Sequence, residues 1–327
     1  MWFEELTGFP EKSPQQVRDN ITVDGTVMTS QVNGAVFNCG ELETPSLAEL
    51  RQRVQSSNTK PGKISVNEVV ASVQNLLIDK RNAGATFQVA SQFNLLEMVS
   101  PDITPEHGVG IYERDQTQGP TCAIAAGAGT IYRNYFADTN GEMGQTATNQ
   151  IDCLADISSA LGNTNDRLWE MKNGYALASE SGLIEISNLL RASTDQERDR
   201  LRGLLRIGIQ WNTQVTLKQS QHLISQVYCS ALPVAYSPHS EVLWADFAKL
   251  VLEASYEAAV CAAIINSSET GNNKLFLTFL GGGAFGNKDD WIIRAINRSM
   301  QLYQHSGLEV VIVSFSGPKP CIQEIIT

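Results

Sequence analysis

A chain of 327 residues with 42% hydrophobic residues can bury a full core, as one large domain or two ordinary ones. Its formal net charge of −11 excludes a general nucleic-acid or anionic-membrane surface, either of which needs Lys and Arg in excess. An anionic ligand must then be held locally, by backbone amides rather than by the global field.

The N-terminus reads Met1-Trp2-Phe3-Glu4-Glu5, with acids where a secretory signal carries Lys or Arg, so a cytoplasmic protein is expected. The apolar stretch Leu250 to Ile265 is interrupted by Glu253, Ser255 and Glu257, short of the ~20 apolar residues a bilayer crossing needs. The cysteines (Cys39, Cys122, Cys153, Cys229, Cys261, Cys321) form no Cys-x-x-Cys pair and have no neighbouring His. Reduced, mostly buried thiols are expected, and no zinc site.

Residues 1–84 read as an N-terminal α+β extension. Met28 to Asn38 alternates around Asn33-Gly34, a hairpin signal, and Ser46 caps a helix Leu47 to Val54. Val69, Val70, Val73, Leu76 and Leu77 have amphipathic spacing, which predicts a helix over Asn67 to Asp79. Residues 85–327 read as an α/β domain in which apolar runs alternate with helical patterns. The predicted strands are Thr86 to Phe93, Leu205 to Gln210, Ile224 to Leu232, Lys274 to Leu280 and Glu309 to Phe315. The predicted helices are Pro120 to Tyr135, Asn149 to Leu161, Gly182 to Leu190, Glu241 to Ile265 and Asp289 to His305.

In a doubly wound sheet, ligands sit beyond the carboxyl ends of the strands, and two loops stand there. The first is Gly281-Gly282-Gly283-Ala284-Phe285-Gly286-Asn287, between an apolar strand and a helix. Glycines let the backbone approach a ligand, and free amides at a helix N-terminus attract phosphate. The loop lacks the Lys-Ser/Thr of a P-loop, which excludes triphosphate hydrolysis of that type. The second runs from Gln92 and Asn94, amides at a strand end, through Glu97, Glu106, Glu113 and Asp115 to Gln118-Gly119-Pro120. Its carboxylates can do acid/base work or hold ribose hydroxyls. His107 reads as structural or exposed rather than as a catalytic base, and His222, His239 and His305 have no acidic or cysteine partner in sequence. Cys122 near the helix start is a minority candidate for a nucleophilic thiolate.

A strand ending in Asn94, a ligand loop leading into a helix, and a late strand followed by Gly283-Ala284-Phe285-Gly286 together resemble the macrodomain superfamily. The motif is similar to the diphosphate loop of its poly(ADP-ribose) glycohydrolase branch, over a layout from about Ala85 to Pro320. Phe87 to Phe136 also resembles the macrodomain-type hydrolases of bacterial effectors that remove ADP-ribose from proteins, ubiquitin among them. The resemblance implies a macrodomain-like three-layer α/β/α fold with a mixed sheet. It implies an ADP-ribosylhydrolase acting on N- or O-glycosidic linkages, with ADP-ribose or an ADP-ribosylated protein as partner and no metal or cofactor. Gly282 to Gly286 would hold the diphosphate, Phe285 would pack on the ribose, and Asn94 would meet that ribose. The Gly-Gly-Gly run and paired glutamates of the glycohydrolase signature are absent here, replaced by Asp115-Gln116-Thr117-Gln118-Gly119-Pro120; the Gly-Asp that reads adenine is absent too. Glu106, Glu113 and Asp115 are therefore the candidates for the catalytic carboxylate. The expected ligand contacts are Gln92, Asn94, Gln118 and Gly281, Gly282, Gly283, Ala284, Phe285, Gly286 and Asn287. A non-catalytic ADP-ribose reader uses the same loop and stands as the second reading.

Overall fold

The computed structural model describes residues 1–57 and 61–325. Helices α1 (Trp2–Thr7) and α2 (Pro14–Asn20) precede a small antiparallel sheet of β1 (Ile21–Asp24), β2 (Val27–Ser30) and β3 (Val36–Asn38). The hairpin expected at Asn33-Gly34 is its β2–β3 turn, with Met28 opposite Phe37. This much is the expected α+β extension. From β4 (Glu41–Glu43) onward the chain enters the central sheet.

Helix α3 (Leu47–Ser56) starts with the expected cap. Ser46 Oγ accepts the Glu49 N–H at 3.2 Å and Glu49 accepts the Ser46 N–H at 2.7 Å, a capping box of the kind that contributes about 1 kcal/mol. The helix expected over Asn67 to Asp79 is corrected. Its first half is a strand, β5 (Ser65–Val70), and only α4 (Val73–Ile78) is helical. The segment Ser65 to Val70, with β-branched Val66, Val69 and Val70, finds a full parallel ladder on the last strand of the chain, Ser65 opposite Glu309 through Val70 opposite Ser314, and that pairing overrides the helical spacing.

There follow β6 (Thr86–Ala90), α5 (Gln118–Ala125), α6 (Gly127–Tyr135), the ribbon β7 (Asp138–Thr139) and β8 (Glu142–Met143), and α7 (Ala155–Leu161). Next come the hairpin β9 (Trp169–Lys172) and β10 (Tyr175–Ala178), α8 (Glu180–Ala192), α9 (Asp195–Gly203), β11 (Gly208–Gln214) and β12 (Leu223–Cys229). The chain closes with α10 (Glu241–Thr270), β13 (Lys274–Leu277), α11 (Asp289–Leu302) and β14 (Glu309–Ser314). One helix expected over Pro120 to Tyr135 is two, broken at Ala126. The Thr216 amide and hydroxyl both bond the Ala125 carbonyl, and Thr216 Oγ1 takes the Gly127 N–H at 3.1 Å, so a side chain stands in for the helical ladder.

The central sheet has seven strands in the order β4-β11-β12-β6-β13-β14-β5. The stretch from β12 to β5 is parallel, and β11 and β4 add an antiparallel edge. Alternation along β12 assigns the layers. Ser225 bonds Asn266 of α10 and Cys229 bonds the Ser255 carbonyl of α10, whereas Gln226 bonds the Cys122 carbonyl of α5 and Tyr228 meets Arg133 of α6. Helices thus cover both faces, giving the expected three-layer α/β/α architecture with a mixed sheet. Phe87 and Phe276 stack across β6 and β13 at 4.4 Å and 8°.

Residues before Ala85 supply both edge strands, and Leu47, Leu50, Ile64, Val66 and Leu77 share one core with the later strands. The boundary expected at residue 84 therefore does not separate two cores. A smaller core joins Phe3, Phe9, Val17 and Met28 to Val109, Tyr112, Ile131 and Tyr135. Among the described residues no helix is long and apolar enough to cross a membrane. The cysteines are free and, Cys321 apart, buried.

Candidate active site

Beyond the carboxyl ends of β6, β12 and β13 lies a cleft of about 240 Å³, where a parallel sheet places its ligands. Its two principal walls are the glycine loop after β13 and the segment from β6 to α5.

The glycine loop divides into two sets of residues. The amides of Gly282, Gly286 and Asn287 are used inside it, donating to the carbonyls of Phe279, Gly283 and Gly281 at 3.1, 3.0 and 2.9 Å. The amides of Gly281, Gly283, Ala284 and Phe285 have no acceptor among the described residues, and these same residues line the cleft while Gly282, Gly286 and Asn287 do not. Gly281 is required by two constraints. Its φ is 72°, and a Cβ there would stand 2.4 Å from the Cβ of Ala231. Asn287 does not line the cleft, and its Nδ2 donates to the Leu232 carbonyl at 2.8 Å. Asp289 and Asp290 already occupy the first turn of the following helix α11, where their carboxylates meet its N-terminal dipole, so the amides without acceptors are those of the loop. Among the described residues, the lining holds no Lys or Arg.

Opposite stands Glu97, 3% exposed, with Oε1 3.5 Å from Nη2 of the wholly buried Arg133 and Oε2 without a hydrogen-bond partner among the described residues. Burial pushes its carboxyl up to about 7, against the opposing pull of the Arg133 charge and the Tyr112 hydroxyl. Arg133 is itself fixed by the Leu95 carbonyl at 3.1 Å, by the Tyr228 hydroxyl, and by lying 3.7 Å over the Tyr228 ring. Leu95, whose carbonyl makes that bond, sits at φ 66°, a strained conformation for a branched side chain at the turn that leads into Glu97.

The expected carboxylates separate. Asp115 lines the cleft and accepts the Thr117 N–H at 2.8 Å. Glu106 and Glu113 do not line it. Glu106 accepts the Ala147 N–H at 2.8 Å and Glu113 the Trp2 N–H at 3.2 Å, both on the exposed side of their turns. Both serve as acceptors for loop amides outside the cleft, whereas Glu97 lies in its wall. Among the amides, Gln92 lines the cleft, its Oε1 accepting the Met98 N–H at 2.9 Å. Gln118 lines it too, but its carboxamide serves β6, accepting the Ala90 N–H and donating to the Gln88 carbonyl, each at 2.8 Å. Asn94 is buried behind the wall, bonded to Gln150 and the Leu96 N–H, and is not among the lining residues. Cys122 is buried and its thiol is pushed far up by desolvation, the opposite of a nucleophilic thiolate.

A third wall comes from the β9–β10 hairpin. Tyr175 lies 5.4 Å from Phe285 and 5.2 Å from Tyr236, and Tyr236 lies 5.5 Å from Phe285, an aromatic cluster at the loop's end. The Asn173-Gly174 turn of this hairpin is a sequence signal for Tyr175 that the two-loop reading left unused. A larger groove of about 770 Å³ beside α3 is lined by Glu43, Arg53 and Arg206, among others. Its arginines are already paired, Arg53 with Glu43 at 2.6 Å and Arg206 with Asp156 at 2.8 Å, whereas the smaller cleft holds a carboxylate oxygen and amides that have no partner among the described residues.

No family model matches the sequence, and no curated protein matches it. Among solved structures, the chain is similar to poly(ADP-ribose) glycohydrolase from Deinococcus radiodurans in complex with ADP-ribose, at 11% identity over 86% of this chain and 88% of that one, with a TM-score of 0.42. It is also similar to poly(ADP-ribose) glycohydrolase from Thermomonospora curvata, at 10% identity over 94% of this chain and 91% of that one, TM-score 0.44. The same enzyme bound to the inhibitor ADP-HPD matches at 10% identity, over 93% and 91%, TM-score 0.44.

Proposed function

We propose that the cleft binds ADP-ribose and that the protein hydrolyses the glycosidic bond joining ADP-ribose to a modified protein or to a further ADP-ribose unit. The observation that carries this reading is the sorting of the glycine loop, in which the residues with unclaimed amides are the ones that line the cleft. Amides without a cation suit a diphosphate in a protein of net charge −11. The diphosphate rests on Gly281, Gly283, Ala284 and Phe285, and the adjoining ribose lies between the Phe285 ring and Glu97.

Glu97 is the acid/base. A carboxyl held near 7 is divided between its two forms at neutral pH. Protonated, it donates from Oε2 to the leaving oxygen or nitrogen as the anomeric bond breaks. Ionised, it stabilises the positive charge at the anomeric carbon and takes a proton from the attacking water. Asp115 is the second carboxylate of the cleft, placed to hold ribose hydroxyls.

Calorimetry with ADP-ribose and release of ADP-ribose from modified protein test the reading together. The wild type is expected to bind and to release. Glu97→Gln is expected to bind within a few fold and to lose on the order of 10²–10⁴ in turnover. A wild type that binds without turnover is a reader, and one that does neither sinks the proposal.

A further inference from the structure

Two side chains that touch Glu97 come from different elements. Tyr112, in the short turn Gly110–Arg114, accepts the Glu97 N–H at 3.0 Å, and Arg133, in α6, faces Oε1. A single carboxylate from the N-terminal extension joins those elements. Glu11 Oε1 accepts the Tyr135 hydroxyl of α6 at 2.7 Å and the Val109 N–H at 3.0 Å, while Oε2 accepts the Gly110 N–H at 2.6 Å. The turn is shaped around it: a Cβ at Gly108 or Gly110 would stand 2.5 or 2.7 Å from Glu11 Oε2, and Gly108 takes φ 85°. Trp2, through its N–H to Glu113, and Phe3, packed in one core with Tyr112, hold the same turn from the same segment.

We infer that Glu11 is a positioning residue for Glu97, fixing the Tyr112 turn against the Arg133 helix so that the Glu97 carboxyl keeps its place in the cleft. The inference rests on the reading of Glu97 as acid/base. It gives the first residues of the chain a part in the reaction without contact with substrate. Three donors converge on a mostly buried carboxylate, so Glu11→Ala leaves two backbone N–H groups and a phenol without an acceptor, and the turn loses its tie to α6.

The test uses the full chain with ¹³C-labelled glutamate carboxyls, the Glu97 signal being assigned by its loss in Glu97→Gln. The groups facing Glu97 are Arg133, Tyr112, Cys122 of α5 and Tyr228 of β12, of which Arg133 alone is charged at neutral pH, so the titration reports burial and that one ion pair. Water entering beside a loosened turn removes the burial that raises Glu97. In folded Glu11→Ala the Glu97 midpoint is therefore expected to drop by about one unit toward the ordinary carboxylate range. The kcat is expected to fall roughly ten- to a hundredfold with KM within about twofold. Tyr135→Phe, which removes one of the ties and keeps the ring, is expected to move both in the same direction by less. An unchanged midpoint in folded Glu11→Ala overturns the inference; where that variant does not fold, an unchanged midpoint in Tyr135→Phe does so. A wild type without turnover removes the acid/base reading instead, and the midpoint then decides by itself whether Glu11 sets the surroundings of Glu97.

Discussion

Glu97 is a buried acid with one oxygen that has no partner among the described residues, and such a group costs stability when ionised. Its folded-state carboxyl is raised from an ordinary value to about 7. The unfolded chain therefore releases this proton first as pH rises, and folding stability is fully present below the ordinary carboxylate range and declines as pH climbs through about 7. The size of the decline follows from the shift, about 3 kcal/mol. Glu97→Gln removes this dependence and keeps the side-chain volume. Denaturant unfolding of both proteins across pH 4 to 8 is expected to show the difference moving in favour of the Gln variant as pH rises, then levelling off. A pH-independent difference would show that Glu97 is not held protonated by burial. Sequence reading could see Glu97 only as one acid among Glu97, Glu106, Glu113 and Asp115 in a polar loop. Burial selects among them, and burial here depends on Arg133, Tyr112 and Tyr228, which the fold brings from three other segments.

At the level of elements, the glycine loop makes separable statements about structure and binding. Gly281 has positive φ and a blocked Cβ direction, so Gly281→Ala strains the backbone and meets Ala231; nothing lies within 4 Å of a Cβ at Gly283. Gly283→Val is thus expected to keep the melting temperature within about 2 °C while lowering ADP-ribose affinity at least about tenfold, whereas Gly281→Ala lowers stability as well. Thermal melts and calorimetry on both variants decide this, and a Gly283→Val protein that binds like the wild type contradicts the cradle. The loop was legible because its composition is local: a strand, closely spaced glycines and a helix. The first half of the segment Asn67 to Asp79 was not, because Val69 and Val70 fit a helical face as well as a strand and the choice is made by β14, more than two hundred residues later. The break at Ala126 was equally hidden, since it is made by Thr216.

In the whole molecule, the parallel centre of the sheet brings the ends of β6, β12 and β13 to one cleft, and β4 and β5, from before Ala85, form the two edges of that sheet. The alternation of strands and helices after Ala85 made this architecture readable. The weaving of the N-terminal segment into both sheet edges and into the Tyr112 turn beside Glu97 was not, because short strands such as β4 (Glu41–Glu43) carry no periodicity of their own. The proposed division of ADP-ribose between the two walls is tested most directly by the crystal structure of the full chain with that ligand. The account predicts diphosphate oxygens within about 3 Å of the amides of Gly283, Ala284 and Phe285, and Glu97 Oε2 at about the same distance from the anomeric carbon's hydroxyl or an adjacent water. Diphosphate seated away from the glycine loop, or a Glu97 carboxyl screened from the ribose by protein, would contradict it.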